Sequence, residues 1–267
     1  MLKMKNTIRY ALAITLLLGL TACGQKERSE IKVGATVGPH AQVVEAVAKE
    51  AAKHGLTVRV VEFSDFITPN AALADGSIDI NSYQHQPFLD NYNRNHGAKL
   101  VSIGNSILMR MGIYSNRHES LQDLPDNARV AIPNDPTNGG RGLLLLADAN
   151  LITLRDGVGF NATPRDIVEN PKNLRFLEVD AAQLPRTLDE VDAAAITMNY
   201  VMSAGIDPKK QGIFLESNQA PLAVMVIATR ENERDNPLYQ QFVQIFQSAA
   251  VSDFLAETFN GTIEPAY

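Results

Sequence analysis

Residues 130–146, VAIPNDPTNGGRGLLLL, decide how the rest of the chain is read. Val130 to Ile132 is a short apolar run of the kind a buried strand presents, and it breaks at Pro133. A loop of Asn, Asp, Pro, Thr and Gly follows and leads into a leucine-rich helix. In a strand–loop–helix unit the first N–H groups of the helix lack partners within it and attract an anion. Arg141 sits at that start, where a cation opposes the helix dipole. A bound carboxylate, gripped by the guanidinium and nearby N–H groups, would account for it. The competing account is an ion pair with Asp135, or a capping role for Thr137 or Asn138.

Upstream, residues 1–22 read as a signal peptide. Lys3, Lys5 and Arg9 are basic, and Ala11 to Leu20 is apolar but too short to span a bilayer. The run ends Leu20-Thr21-Ala22-Cys23, which resembles the bacterial lipoprotein box. There the chain is cut before the cysteine, and the thiol and new N-terminus receive fatty-acyl chains such as palmitate. An ordinary cleaved signal leaving a free thiol is the alternative. Cys23 is the only cysteine, so no internal disulfide can form and lipidation accounts for the odd thiol. More than one acyl chain anchors stably. The expected location is the cell membrane, lipid-anchored and facing the periplasm or exterior, with residues 23–30 as lipidated cysteine and tether.

The whole chain carries a formal net charge of −6. Without Lys3, Lys5 and Arg9 the balance is 21 basic against 30 acidic residues, a net charge of −9. That argues against a nucleic-acid partner and against adhesion to an anionic membrane by charge.

The body alternates strands and helices. Strands are expected at Ile31–Val37, Thr57–Phe63, Ile78–Asn81 and Lys99–Ile107. Helices start at Gly38-Pro39 and Asn70, and a third carries Phe88, Leu89 and Tyr92; Gly55, Gly76 and Gly97 stop them. A second series follows Val130, with strands at Leu174–Val179, Ala193–Thr197, Ile213–Leu215 and Leu222–Thr229. Ala181–Val191 reads as a helix interrupted by Pro185, Asn199–Ala204 as a helix capped by Gly205, and Pro237–Phe259 as terminal helices. Repeated β-α-β units imply mainly parallel sheets with helices on both faces. The extended stretches Ile103–Tyr114 and Ala220–Thr229 look like two crossings between lobes. Lobe I then comprises 31–110 and 225–267, and lobe II 111–224.

Open parallel sheets bind ligands beyond the carboxyl ends of their strands. Phe66, Tyr83, His85 and Arg141 all lie just after expected strands, which points to a shared cleft. Taken singly, Phe66 and Phe88 would fit a core, and His85 would fit a helix cap. An enzyme is not indicated. No G-x-S-x-G elbow occurs, and a lipidated Cys23 leaves no thiol to react. His40, His54, His85, His96 and His118 show no paired metal-ligand spacing. Gly157-Val158-Gly159-Phe160-Asn161-Ala162 fits a loose dinucleotide pattern without a preceding strand. No cofactor and no metal are expected.

Longer stretches carry a family resemblance: FSDFITPNAAL (63–73), YQHQPFLDN (83–91), LVSIGN (100–105), VAIPNDPTN (130–138), DGVG (156–159), ENPKNL (169–174) and AQLPRTLDE (182–190). With these the chain resembles the NlpA/methionine-binding lipoproteins, the substrate-binding components of methionine ABC importers, across 31–267. The resemblance implies a two-lobed periplasmic-binding-protein fold, an amino-acid ligand, a membrane permease with ATPase subunits as partner, and a monomer. It places a methionine side chain among Phe66, Tyr83 and Phe88 with His85 beside them, and a carboxylate on Arg141. Asn138 joins that expected contact set. The family's two asparagine contacts to the ligand's polar end correspond to Thr197 and Met225, and Met109-Arg110 replaces the usual Tyr-Pro. Losing a partner for a buried charged group costs roughly 1–3 kcal/mol or more. Asn199 is therefore read as a substitute, and the ligand stays open between methionine, its D-form, another small amino acid and a dipeptide. A non-transport surface lipoprotein is the remaining alternative. On this reading Arg141→Ala should cost most of the affinity and leave thermal stability nearly unchanged.

Overall fold

A computed structural model describes residues 30–267. The expected signal peptide and lipidated Cys23 lie outside the described residues, as does the tether except for Glu30, which opens the first strand.

The first series comprises β1 (Glu30–Thr36), β2 (Thr57–Phe63), β3 (Ile80–His85) and β4 (Leu100–Leu108), alternating with α1 (Pro39–Lys53), α2 (Thr68–Ala74) and α3 (Gln86–His96). The second begins with β5 (Met111–Tyr114), β6 (Arg129–Pro133), α4 (Pro136–Asp148) and a small hairpin of β7 (Thr153–Leu154) and β8 (Ile167–Glu169). It continues through β9 (Arg175–Val179), α5 (Leu184–Thr187), β10 (Ala193–Thr197), α6 (Met198–Ser203), α7 (Pro208–Gln211) and β11 (Gly212–Leu215). The chain then returns as β12 (Val224–Arg230), α8 (Pro237–Phe246), α9 (Ala249–Phe259) and β13 (Glu264–Pro265).

One sheet has the order β13-β4-β12-β3-β1-β2, the other β11-β5-β10-β6-β9. The β-α-β portions pair in parallel, β1 with β2 and β3, and β6 with β9 and β10. The crossing strands run the other way, so β12 and β5 add antiparallel neighbours and both sheets are mixed. The crossings lie side by side, the Met109 N–H donating to the Ala223 carbonyl at 2.7 Å.

Helices cover both faces of each sheet. In β6, Val130 and Ile132 pack with Leu143, Leu145 and Leu146 of α4, while Ala131 between them packs with Leu184 and Leu188 on the far side. That is strand alternation with both faces buried. In α1, Val43, Val44 and Val47 join Phe242 and Phe246 of α8 in the core of the first sheet. Gly55, Gly76 and Gly97 all take positive φ where the helices end, as their sequence positions imply.

Two elements differ from expectation. The helix expected over Ala181–Val191 is a single turn, Leu184–Thr187, with Pro185 in its first turn. Proline cannot sit within a helix, so the helix begins there. The strand expected at Ile78–Asn81 runs instead from Ile80 to His85 and is buried throughout. Its polar sequence INSYQH resembles a loop, but Asn81 and Gln84 are satisfied inside. Asn70 and Gln84 exchange two side-chain hydrogen bonds of 2.7 Å, and Asn81 joins both at 2.9 Å. A closed amide network of this kind removes the penalty for burying polar groups.

Candidate functional site

The carboxyl ends of the parallel strands face each other across a cavity lined from both sheets. From the first sheet come Phe66 after β2, Tyr83 and His85 at the end of β3, and Phe88 on α3. From the second come Asn138 and Arg141 on α4, Thr197 at the end of β10 and Asn199 on α6. Met225 enters from β12. All nine side chains singled out in the sequence thus line one cavity. His40, Gln84, Met109 and Met198 line it too and are not among the contacts expected from the sequence. His40 stands just after β1, so the strand-end rule that selects Tyr83 and Arg141 would also have found it.

Phe66, Tyr83 and Phe88 form an apolar wall, each ring centroid 6.1–6.3 Å from the other two. The Tyr83 hydroxyl donates to the Phe66 carbonyl at 3.0 Å, fixing the loop after β2. Burial holds that phenol well above its usual pKa, so it stays protonated.

His85 is both helix cap and wall. Its Nδ1 accepts from the Phe88 N–H at 3.2 Å, which places the proton on Nε2, and Nε2 faces Asn138 Oδ1 at 3.3 Å. Asn138 Nδ2 in turn donates to both oxygens of Asp135 at 3.1 Å. This chain of bonds joins the two halves across the cleft. Phe66 and Tyr200 meet there as well, with ring centroids 4.7 Å apart.

Asp135 corrects the reading of the helix start. Its carboxylate caps α4, accepting from the Asn138 N–H at 2.9 Å, so the protein's own anion occupies that position. Arg141 lies more than one turn further on, beyond most of the dipole's reach. Its ion pair is with Glu216 and not with Asp135. Nε donates to Glu216 Oε1 at 3.0 Å, and Nη2 donates to Glu216 Oε2 at 2.5 Å and to the Met109 carbonyl at 2.8 Å. Glu216 also accepts from the Met111 N–H at 2.9 Å. Arg141 is 2% exposed, and none of these bonds uses Nη1. The fork is therefore held rigidly, with Nη1 outside these bonds.

Burial pushes His40 and His85 down to about 3, and the Arg141 charge adds to the effect on His85. An unfolded chain takes up these protons near pH 6.5, whereas the folded one does not. Stability is then complete above pH 6.5 and falls as pH drops, by about 2 kcal/mol per histidine between pH 6.5 and 5. Urea midpoints at pH 7 and 5 check this. His40→Asn and His85→Asn should each flatten the pH dependence, and a dependence parallel to the parent protein's would refute it.

Among the described residues no cluster of three His, Cys, Asp or Glu side chains could hold a metal ion, and no helix is long and apolar enough to cross a membrane.

Two α/β halves joined by two crossings and closed over one buried cavity make a cleft-type binding fold. Residues 31–267 match the NlpA lipoprotein family, and the chain belongs to that family. It is 45% identical over 249 residues to the D-methionine-binding lipoprotein MetQ of Escherichia coli (strain K12), covering 91% of this chain and 92% of that one. Outer membrane lipoprotein 3 of Mannheimia haemolytica is 41% identical over 247 residues, covering 92% and 93%. Among solved structures, a nutrient binding protein from Burkholderia cenocepacia bound to methionine superposes with a TM-score of 0.86 at 44% identity, covering 89% of this chain and 100% of that one. An ABC transporter, periplasmic substrate-binding protein from Coxiella burnetii superposes with a TM-score of 0.85 at 42% identity, covering 88% and 100%. The fold is the two-lobed periplasmic-binding-protein fold.

Proposed function

We propose that this chain is the substrate-binding lipoprotein of an ABC importer, capturing methionine or a closely related amino acid. The observation that carries the reading is Arg141. Glu216 and the Met109 carbonyl hold it, none of their bonds uses Nη1, and the residue lines an aromatic cavity. Nη1 receives the ligand's carboxylate, and Phe66, Tyr83 and Phe88 surround the thioether, a favourable contact for a polarisable sulfur. The relatives named for methionine support the same ligand.

Lobe I (31–110 and 225–267) and lobe II (111–224) close by rotating about the crossings, and the His85–Asn138 and Phe66–Tyr200 contacts form on closure. The closed monomer, anchored through Cys23, delivers its ligand to a permease driven by separate ATPase subunits. It binds without turnover.

Titration calorimetry on ligand-stripped protein tests this, using L- and D-methionine, leucine and methionyl dipeptides. Saturable one-to-one binding of methionine, recovered unchanged by mass spectrometry, is expected. Chemical conversion of methionine would indicate an enzyme, and no heat with any amino acid would indicate a scaffold.

A further inference from the structure

The apolar cores of the two halves exchange side chains. Met198 and Met202 of α6 pack into the core that Val43, Val44 and Val47 of α1 form with α8, although α6 follows β10 of the other sheet. In return Phe66, from the loop after β2, packs into the cluster of Ala131, Leu184, Leu188 and Tyr200 in the second half. Among the described residues these three are the ones that cross, the other members of each core coming from their own lobe. The exchanged side chains are held from behind. The Met198 N–H donates to the Arg110 carbonyl on the first crossing at 3.1 Å, so α6 starts where the lobes are joined. At the far end of that helix the Ser203 hydroxyl donates to the Val37 carbonyl at 3.4 Å. Asp65 accepts from the Ile67 and Thr68 N–H groups at 2.7 and 2.8 Å, which fixes the turn that carries Phe66. The Tyr200 hydroxyl donates to the Ser64 carbonyl of the same turn at 3.4 Å. Met198, which is 1% exposed, and Phe66 also line the ligand cavity, whereas Tyr200 and Met202 are not among its lining residues.

We propose that this exchange is the latch that retains the ligand, with Met198, Met202 and Phe66 as its bolts and Tyr200 as the seat of Phe66. The proposal rests on the two-lobed amino-acid reading above. Rotation about the crossings draws the two methionines out of lobe I and Phe66 out of lobe II, so each opening returns apolar surface from both cores to water. Such bolts act only while the halves are shut. They contribute nothing to the encounter of a ligand with the open cleft, so their strength is felt in the rate of release and not in the rate of capture. Met198 and Phe66 meet the cavity as well as the opposite core, so ligand and latch stabilise the same closed state. Met202 and Tyr200 serve the latch without touching the ligand, and they are the positions at which retention separates from recognition.

The test measures release of radiolabelled methionine from the full chain, chased with excess unlabelled methionine, beside its association rate. Met202→Ala should speed release about 10-fold and leave association within about 3-fold of the parent protein. Met202→Leu restores the apolar bulk and should release at close to the parent rate. Tyr200→Ala empties the seat of Phe66 and should also speed release about 10-fold. Tyr200→Phe keeps the ring and loses only the 3.4 Å bond to Ser64, so its release should stay near the parent rate. Met202→Ala decides alone should Tyr200→Ala fail to fold. Release at the parent rate from the alanine variants would overturn the latch, as would a loss of affinity carried by slower association. A parent protein that binds no methionine would overturn the amino-acid reading itself, and the latch with it.

Discussion

Replacing Arg141 with alanine should abolish ligand capture and at the same time lower the stability of the fold. The second half departs from what the sequence implies, which is a loss of affinity with stability nearly unchanged. The reason is Glu216. Its carboxylate is 8% exposed and accepts from Nε and Nη2 of Arg141. Removing one member of a buried ion pair strands the other, at a cost of about 3–5 kcal/mol. The Met109 carbonyl on the crossing loses a donor as well. For the ligand, loss of a charge-assisted contact to its carboxylate should weaken binding by about 100-fold or more. Thermal melts and calorimetry on the same preparation check both effects. A melting temperature equal to that of the parent protein would contradict the role given to Glu216, and parent-like affinity would remove Arg141 from the ligand.

Gly140→Ala should be the most damaging small substitution in the chain. On a helix, replacing glycine with alanine ordinarily stabilises by about 1 kcal/mol. Here a Cβ would stand 2.0 Å from the Phe160 carbonyl oxygen, 2.6 Å from its carbon and 3.1 Å from the Ala162 nitrogen. These are backbone atoms, so relief requires the 159–162 segment to lift off α4 and uncover the cavity-bearing helix. A loss of about 3 kcal/mol is expected, read as a lower urea midpoint at unchanged slope. Gly142→Ala is the control, because its Cβ would come no closer than 3.3 Å, to Ala195 Cβ, with Ile132 at ordinary contact distances of 3.6 and 3.7 Å, so a small shift suffices. An unchanged or raised midpoint for Gly140→Ala would refute the packing described.

The same contact shows what could and could not be read from the sequence. The run Gly157-Val158-Gly159-Phe160-Asn161-Ala162 imitates a dinucleotide fingerprint, and no local rule reveals that Phe160 lies on Gly140. Strands with apolar runs, such as Val130–Ile132 and Ala193–Thr197, were legible because burial on both faces leaves a composition signal. β3 was misplaced because its buried amides pair with Asn70, a partner eleven or more residues away. The cavity residues were legible by position, since the fold delivers strand ends to one place. The partner of Arg141 was not, because Glu216 is 75 residues distant and reaches it only once the second crossing is built. Asp135 was named as an ion-pair partner from its nearness in sequence, but the cap geometry claims it first.

The central claim is that Arg141 holds the ligand and does not merely hold the fold, and the double variant Arg141→Met/Glu216→Gln separates the two. Removing both charges leaves no stranded ion, and the amide oxygen introduced at position 216 can still accept from the Met111 N–H. Methionine should be titrated into this variant beside the parent protein, with thermal melts recorded on both. The expected result is a melting temperature close to the parent protein's with methionine binding lost. A variant equally stable that still binds methionine at near-parent affinity would contradict the claim.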